Sequence, residues 1–250
     1  MYRDNIINVV IPALNEEGAV DKVVSDLKAL KNENEAPLID HVIVCDNGST
    51  DATADVAEKA GAEVVYQSQA GYGIACLTAI DAIKSCDIVL FVDADDSCVV
   101  SQCKAMFEHI VDGADIVIGS RTLGKAEKGA LTPLQVFGNG LSGVLIKALW
   151  QHPITDLGPF RAIKRTALAK LDMQDKSFGW TVEMQVKAIQ LGLITQEIAV
   201  DSKVRIGQSK ISGTLKGSVN AGIGIISMIA RLRFNQRKFV KVQQAKFEHS

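Results

Sequence analysis

The sequence predicts an α/β protein with a Rossmann-like, mainly parallel sheet and helices on both faces. The 250 residues are 47% hydrophobic and 22% charged, which excludes a disordered or fibrous chain. Short β-branched runs alternate with amphipathic segments, the pattern of successive βαβ units. Runs such as residues 88–92 (Ile-Val-Leu-Phe-Val) are apolar throughout, as expected for a strand covered on both faces.

Strands and helices are predicted in alternation through the first half of the chain. The first strand is a β-branched run that Pro12 bounds, and the first helix places Val20, Val24 and Leu27 on one face. The same reasoning predicts strands at residues 6–11, 41–45, 62–66, 88–92 and 115–119. It predicts helices at residues 17–31, 51–60, 72–84 and 101–111.

The pattern changes after residue 120. Residues 122–132 have little periodicity and predict a loop, and residues 205–213 predict a second loop, rich in Gly, Ser and Lys. Apolar periodicity predicts a late strand at 195–200 and helices at 134–150, 180–191 and 215–234. We therefore expect one large domain, residues 1–213, followed by an apolar and basic helical extension, residues 214–250.

Charge is divided unevenly along the chain, although the formal net charge is only -2. Residues 1–201 carry 17 Lys and Arg against 28 Asp and Glu, whereas residues 202–247 carry ten cations and no acid. This asymmetry suggests an anionic partner, and a solvated basic helix face is the simpler alternative. No nucleic-acid-binding module is recognisable and few aromatics lie among the cations, so we expect no nucleic-acid partner.

Cysteine usage favours a reducing compartment. The five cysteines, at positions 45, 76, 86, 98 and 103, are odd in number and include no C-x-x-C pair. This argues against a disulfide framework or a zinc ribbon and favours a cytosolic setting. The sequence has no secretory h-region near residue 1 and no run of about 18 or more apolar residues, so we expect neither secretion nor a membrane-spanning helix.

Carboxylates mark the predicted carboxyl ends of strands one, two and four, the edge at which open parallel sheets bind ligands. Glu16 follows the first strand, Asp46 the second, and Asp93 and Asp95 the fourth. Two carboxylates separated by one small residue suit a hard cation such as Mg²⁺ or Mn²⁺ beside substrate phosphates. A simple Asp-rich turn is the alternative for this pair.

Three segments in combination resemble the family 2 glycosyltransferases, which have the GT-A fold. They are residues 10–16 (Val-Ile-Pro-Ala-Leu-Asn-Glu), 44–51 (Val-Cys-Asp-Asn-Gly-Ser-Thr-Asp) and 92–95 (Val-Asp-Ala-Asp), in order at strand ends. Two positions depart from the family: many members have a second aspartate at Asn47, and lysine or leucine at Tyr72. A sugar-phosphate nucleotidyltransferase would instead show a Gly-rich basic loop after the first strand.

The resemblance implies a nucleotide-sugar donor and a divalent metal, Mg²⁺ or Mn²⁺. It assigns the base and ribose of the donor to Asp46 and to a run of five residues, Pro12, Ala13, Leu14, Asn15 and Glu16. It assigns the metal to Asp93 and Asp95, and the nucleotide diphosphate to this turn, including Ala94.

Segments in the second half narrow the resemblance to polyprenyl-phosphate sugar transferases, the group of dolichol-phosphate mannose synthase. They are residues 156–161 (Asp-Leu-Gly-Pro-Phe-Arg), 179–183 (Gly-Trp-Thr-Val-Glu) and 205–210 (Arg-Ile-Gly-Gln-Ser-Lys). The last is similar to a loop that grips donor and acceptor phosphates, and Arg, Ser and Lys suit phosphate oxygens. Phosphate or acceptor binding is thereby assigned to Arg161, Arg205, Ser209 and Lys210.

The implied reaction is inverting transfer of a hexose, with a nucleoside diphosphate as the leaving group. The metal, Arg205 and Lys210 would offset the charge that develops on this group. A phosphate acceptor is already anionic, whereas a hydroxyl acceptor would need a carboxylate base. Asp156 and Glu183 are the candidate bases, with a turn-ordering role and a cation-pairing role as their structural alternatives. Catalytic roles are thus expected for Asp95, Asp156, Glu183 and Arg205.

The prediction of a lipid acceptor draws support from the C-terminal extension. Residues 219–230 are mostly apolar but too few to span a bilayer. The cations that follow are Arg231, Arg233, Arg237, Lys238 and Lys241. Such a helix fits the interface of an anionic membrane, which predicts peripheral association on the cytoplasmic face. The alternatives are a helix packed on the domain, and an enzyme with a soluble, glycolipid or protein hydroxyl acceptor.

Overall fold

Seven strands form one sheet in the computed structural model, which describes residues 1–207 and 215–247. Six of them coincide with the predicted strands to within two residues at either end, because buried β-branched runs define them. The strands are β1 (Ile7–Ala13), β2 (His41–Asp46), β3 (Glu63–Tyr66), β4 (Ile88–Phe91), β5 (Ile116–Ser120), β6 (Arg161–Lys164) and β7 (Thr195–Ala199).

Eight α-helices connect or flank these strands within the described ranges. They are α1 (Val20–Ala29), α2 (Thr53–Lys59), α3 (Tyr72–Asp81), α4 (Cys103–Val111), α5 (Pro133–Trp150), α6 (Arg165–Leu171), α7 (Trp180–Gln190) and α8 (Leu215–Phe247). The start of α5 is well defined, since Thr132 and Gln135 form a capping box and Pro133 occupies the first turn.

The strand order is β3-β2-β1-β4-β6-β5-β7, and every neighbouring pair is parallel except the two pairs that β6 makes. The mainly parallel sheet predicted from the sequence is therefore confirmed. Because β2, β1 and β4 are adjacent and parallel, their carboxyl ends meet at one edge.

Sequence patterns do not predict β6 and α6. In β6, Arg161 and Lys164 enclose only two apolar residues, so neither an apolar run nor alternation marks the strand. The chain leaves the sheet after β5 and returns in β6, antiparallel to both of its neighbours. A hydrogen bond of 2.9 Å from Gly119 N to Phe160 O joins the two ends of this segment, which we call the 121–160 excursion.

Helices cover both faces of the sheet, as predicted. On one face α1 and α4 contribute Leu27 and Phe107 to the core, and on the other α3 and α7 contribute Ala79 and Trp180. Trp180 meets Phe91 of β4 edge-on, with ring centroids 6.1 Å apart. The five cysteines are all free.

The C-terminal helix α8 is longer than the predicted 215–234 because its basic residues continue the helix rather than end it. Its inner face packs on α5 and α7. The buried members of this apolar cluster are Ile146, Leu157, Val182, Val186, Met228, Ile229 and Leu232. Trp150 Nε1 also donates to Gln236 Oε1 at 3.0 Å. The inner face of α8 therefore agrees with the alternative in which this helix packs on the domain.

Two further expectations concern the extension. Among the described helices, none combines the length and the apolar character needed to cross a membrane. The predicted boundary between residues 213 and 214 lies outside the described residues.

Candidate active site

The ends of β1, β2 and β4 bring the predicted donor-site residues together. Pro12 and Ala13 close β1, paired in register with Cys45 and Asp46 of β2, so they belong to the strand and not to the loop after it. The other predicted members follow the strand ends directly: Leu14, Asn15, Glu16, Asp93, Ala94 and Asp95.

Asn15 connects the loop after β1 to the loop after β2. Its φ of 53° lies in the left-handed region, which Asn tolerates better than most residues. Its Oδ1 accepts from Thr50 N at 2.7 Å, and its own N–H donates to Ser49 Oγ at 2.9 Å. Glu16 N donates to Thr53 Oγ1 at 2.8 Å. The two predicted nucleotide segments therefore form one hydrogen-bonded rim.

The hydrogen bonds of Asn47 explain why this chain has an asparagine where many family members have a second aspartate. Its Nδ2 donates to Gln67 O at 3.0 Å and to Gln69 O at 2.7 Å, while its Oδ1 accepts from Gly71 N at 2.8 Å. A carboxylate cannot donate, so aspartate would lose the first two bonds. Asn47 thus anchors residues 67–71, and Asp46 beside it accepts from Ser49 N at 3.0 Å.

Asp93 and Asp95 form a carboxylate pair at the end of β4. Burial and then the charge of Asp95 raise the pKa of Asp93 to about 7, against the lowering effects of Tyr72, Arg121 and Arg205. Asp95 is itself buried, and its Oδ1 accepts from Ser97 N at 3.1 Å. The nearby cations therefore do not fully offset the effects of burial and of the neighbouring carboxylate on the pKa of Asp93.

Tyr72 is a site residue that sequence reasoning noted only as a departure from the family. Its hydroxyl donates to Asp93 Oδ1 at 3.0 Å, and burial raises the pKa of Tyr72, so the hydroxyl keeps its proton. Close backbone packing sets its position. Gly73 N donates to Ser177 O at 3.2 Å, and a Cβ at Gly73 would lie 2.1 Å from Asp175 O.

Arg205 contacts the loops that follow β1 and β4. Its Nη2 is 2.6 Å from Glu16 Oε1 and its Nη1 is 3.2 Å from Asp95 Oδ2, so it connects the ends of β1 and β4. Its buried Nε has no hydrogen-bond partner among the described residues. An orphaned cationic donor in a buried position fits an anionic ligand.

Backbone bonds hold the segment that carries Arg205 across the turn after β4. Lys203 N donates to Ser97 O, and Ile206 N donates to Asp95 O, each at 2.9 Å. Lys203 Nζ also lies 2.5 Å from Asp96 Oδ1. Ser209 and Lys210, the other predicted phosphate ligands of this loop, lie outside the described residues.

Asp156, predicted as a general base, is fully buried and paired with Arg121. Its Oδ2 accepts from Arg121 N at 2.9 Å and Nε at 2.8 Å, and its Oδ1 accepts from Arg121 Nη2 and from Asn139 Nδ2, both at 2.8 Å. Burial raises the pKa of Asp156, but the hydrogen bonds and the charge of Arg121 outweigh burial, so the pKa lies below its usual value. The carboxylate is therefore a positioning group for Arg121.

Arg121 is a second site residue that the sequence analysis missed. It follows β5 directly, and its charge reaches Asp93 and helps to lower the pKa of that carboxyl. Its side chain is 20% exposed, and Nη1 takes no part in the bonds to Asp156. The sequence signal for Arg121 was its position directly after a strand. The rule that parallel sheets bind ligands at the carboxyl ends of their strands had already identified Asp46 and Asp93.

Arg161, predicted to bind phosphate, makes its contacts within the protein. The side chain is buried within the sheet, where Nε donates to Gly158 O and Nη1 to Thr181 O, each at 2.7 Å, and Nη2 donates to Gln185 Oε1 at 3.2 Å. Burial lowers the pKa of Arg161 to about 10. All three guanidinium nitrogens are occupied, so Arg161 stabilises the chain around β6.

Glu183, predicted as a catalytic base, likewise makes its contacts within the protein. This buried carboxylate pairs with Lys187 at 2.8 Å, one turn along α7. It also accepts from the backbone N–H groups of Gln174 and Asp175. The structural alternative, a carboxylate that pairs with a cation, describes Glu183.

The donor set at the end of β4 fits Mg²⁺ or Mn²⁺. The described residues contain no group of three or more His, Cys, Asp or Glu side chains that could enclose a metal. Mg²⁺ commonly takes only one or two carboxylates and completes its coordination with substrate phosphates and water. Asp93 and Asp95 supply such a pair in the turn that follows β4.

Asp93→Asn is expected to stabilise the metal-free protein near pH 8. The folded pKa of about 7 exceeds the ordinary 3.8, so the folded state binds more protons between these values, and the contribution of Asp93 to stability falls as the pH rises through them. Melting temperatures measured in EDTA from pH 5 to pH 8 should therefore fall less in the variant than in the wild type. Parallel profiles would contradict the raised pKa.

The chain resembles known proteins over most of its length. The sequence profile of "Glycosyl transferase family 2" matches residues 8–172, which include all three strand-end segments. An uncharacterized glycosyltransferase of Mycobacterium tuberculosis is 32% identical over 217 residues, covering 86% of this chain and 94% of the relative. A dolichyl-phosphate hexose transferase of Haloferax volcanii is 26% identical over 234 residues, covering 93% and 98%.

Solved structures support the same fold. Glucosyl-3-phosphoglycerate synthase of Mycobacterium tuberculosis, in complex with Mn²⁺, uridine diphosphate and phosphoglyceric acid, superposes with a TM-score of 0.72 at 22% identity. The match covers 92% of this chain and 79% of that chain. The likeness confirms the predicted GT-A fold, and the predicted C-terminal helix is present as α8.

Proposed function

This chain belongs to glycosyl transferase family 2, and we propose that it transfers a hexose from a UDP- or GDP-linked sugar to the phosphate of a polyprenyl lipid, with inversion at the anomeric carbon. It is a glycosyltransferase by family, so the proposal concerns its donor, its metal and its acceptor. We place the enzyme at the cytoplasmic face of a membrane, as a peripheral protein.

The donor is proposed to lie along the ends of β2, β1 and β4. Asp46 and residues 12–16 hold the base and ribose, and the turn of Asp93, Ala94 and Asp95 faces the diphosphate. A divalent cation held by the two aspartates supplies Lewis-acid stabilisation of the leaving diphosphate. The solved neighbour with Mn²⁺ and uridine diphosphate supports this assignment, since it shares the fold.

Arg205 is proposed to stabilise the leaving group as negative charge develops on it. Its orphaned Nε is a buried cationic donor, and a guanidinium matches phosphate oxygens in geometry. Such preorganised donors act mainly on the transition state. Ser209 and Lys210 remain proposed phosphate ligands from the sequence motif alone.

The position of Arg121 is the observation that favours a phosphate acceptor over a hydroxyl acceptor. A fully buried carboxylate fixes this cation beside the metal-binding pair, and its Nη1 makes none of those bonds. A phosphate oxygen attacks as an anion and needs a cationic guide rather than a base. Both carboxylates that a hydroxyl acceptor would have used as a base, Asp156 and Glu183, are occupied by structural contacts.

A soluble acceptor is the alternative, and one observation favours it: a close structural neighbour binds phosphoglyceric acid. That acceptor also carries a phosphate, so Arg121 alone does not separate the two. The alternative gives no role to the C-terminal extension.

The proposal is tested by incubating the full chain with Mn²⁺, a panel of UDP- and GDP-sugars, and either a short polyprenyl phosphate or phosphoglyceric acid. We expect a hexosyl lipid, identified by mass spectrometry after organic extraction, with at least one donor. A control without acceptor measures donor hydrolysis. Transfer only to phosphoglyceric acid, or hydrolysis with no lipid product from any donor, would overturn the lipid assignment.

A further inference from the structure

Helix α5 is apolar on two sides. Its inner side places Ser142 and Ile146 against the domain, as a packed helix should. Its outer side carries Phe137, Leu141 and Val144, which lie at i, i+4 and i+7 and therefore share one face. Phe137 is 65% exposed and Val144 is 67% exposed.

An outer face of this kind is unusual for a helix in contact with water, where polar residues are expected. Leu134, Val136 and Leu149 are also exposed, and Lys147 is the only ionic residue of α5. Single exposed apolar residues are common, but a continuous patch along a whole helix marks an interaction surface.

Helix α8 continues this patch. Ile223, Ile226 and Phe234 are exposed, and Phe234 is 88% exposed. They lie at i, i+3 and i+11, on the side of α8 opposite Met228 and Leu232, which pack inward. Because α5 and α8 pack on each other through the same inner cluster, we name their exposed apolar residues together the α5–α8 outer face.

The charge beside this face selects its occupant. Among the described side chains of α8, the exposed cations are Arg231, Arg233, Arg237, Lys238, Lys241 and Lys246, and the last of these pairs with Asp172. From residue 202 to residue 247 the sequence has no acid. A second copy packed through the same patch would bring the two sets of cations together, because a two-fold interface is self-complementary. An anionic lipid surface meets both requirements, apolar contact and negative charge.

We propose that the α5–α8 outer face docks on an anionic bilayer, with Phe137 and Val144 among the side chains that enter the lipid. The expectation from sequence concerned only the C-terminal helix, whereas the structure adds α5 as the more apolar part of the surface. Neither helix crosses the bilayer; both lie along it.

The position of α5 connects this surface to the proposed acceptor site, a step that rests on the proposed function. Asn139, on the same helix, donates to Asp156 Oδ1 at 2.8 Å, and Asp156 holds Arg121. Two residues thus connect the docking helix to the cation that we assign to the acceptor phosphate. A docked enzyme presents that cation next to the lipid surface from which a polyprenyl phosphate extends.

Vesicle flotation of the full chain tests the docking surface. We expect the wild type to float with vesicles of phosphatidylcholine and phosphatidylglycerol, and more weakly with phosphatidylcholine alone. The double variant Phe137→Ser/Val144→Ser should lower the partition coefficient by at least about 30-fold, because two large apolar side chains no longer leave water. Ile194→Ser, which changes an apolar residue 56% exposed outside this face, should bind as the wild type does.

Several results would overturn the proposal. These are a wild type that floats with neither vesicle, a double variant that floats like the wild type, or a stable wild-type dimer that the double variant dissociates, which would assign the face to a second copy. Unchanged melting temperatures exclude misfolding of the variants. Transfer to a short soluble polyprenyl phosphate, assayed without vesicles, should persist in the double variant, so loss of docking and failure of the proposed function are read separately.

Discussion

Asp95→Asn is expected to lower the rate of sugar transfer by about 1,000-fold or more, because several kcal/mol of leaving-group stabilisation would depend on the cation that this carboxylate is proposed to hold. The substitution also removes the partner of Arg205 Nη1, 3.2 Å away. Release of nucleoside diphosphate, followed over a range of Mn²⁺ concentrations, measures the loss. Calorimetric titration of Mn²⁺ with UDP or GDP present should show weaker metal binding.

Asp96→Asn is the matched control for this prediction. It makes the same charge change one residue along the same turn, but Asp96 pairs with Lys203 and Lys22. We expect its transfer rate to stay within about tenfold of the wild type, since partly exposed ion pairs contribute little. If the two variants lost activity equally, the metal assignment would be wrong, and the total negative charge of the turn would explain the loss.

Asp156→Ala is expected to lower the free energy of unfolding by about 3–5 kcal/mol, because it leaves the buried guanidinium of Arg121 without its partner. Asp156 accepts four hydrogen bonds and its side chain is 0% exposed. Chemical denaturation measures the change. Asp26→Ala is the control, since its pair with Lys22 is exposed and should contribute less than about 1 kcal/mol.

A double variant separates the structural role of this pair from its proposed part in transfer. Replacing both partners, Arg121→Leu with Asp156→Leu, should recover much of the stability, because no unpaired buried charge remains. Transfer to a polyprenyl phosphate should stay low, because the cation that guides the acceptor is gone. A stable double variant that transfers at the wild-type rate would remove Arg121 from the acceptor site.

The donor side of the site follows from the sequence because its residues and its strands are local to one another. Buried runs locate β1, β2 and β4, and the rule that parallel sheets bind ligands at carboxyl ends then places Asp46, Asp93 and Asp95. Each of these residues lies within four positions of the end of its strand. No long-range contact has to be known in advance.

The acceptor side does not follow in this way, because its chemistry depends on partners distant in sequence. Asp156 pairs with a residue 35 positions away, and Arg161 takes two of its three partners from α7, up to 24 positions away. Nothing in a motif distinguishes a buried, fully bonded Arg161 from a phosphate ligand. Tyr72 was visible as an unusual residue, but its bond to Asp93 spans 21 positions.

The 121–160 excursion begins and ends at neighbouring strands. The sequence of this segment can therefore change independently of the sequence of the rest of the molecule. Because β5 and β6 are hydrogen-bonded neighbours, everything between them begins and ends at nearly the same place on the sheet. Arg121, Asn139, Asp156 and helix α5 all belong to this insertion, whereas the donor residues after β1, β2 and β4 do not. Evolution can therefore lengthen, replace or re-target the insertion while the nucleotide-binding strands stay as they are, which is one route by which a single scaffold comes to serve many acceptors.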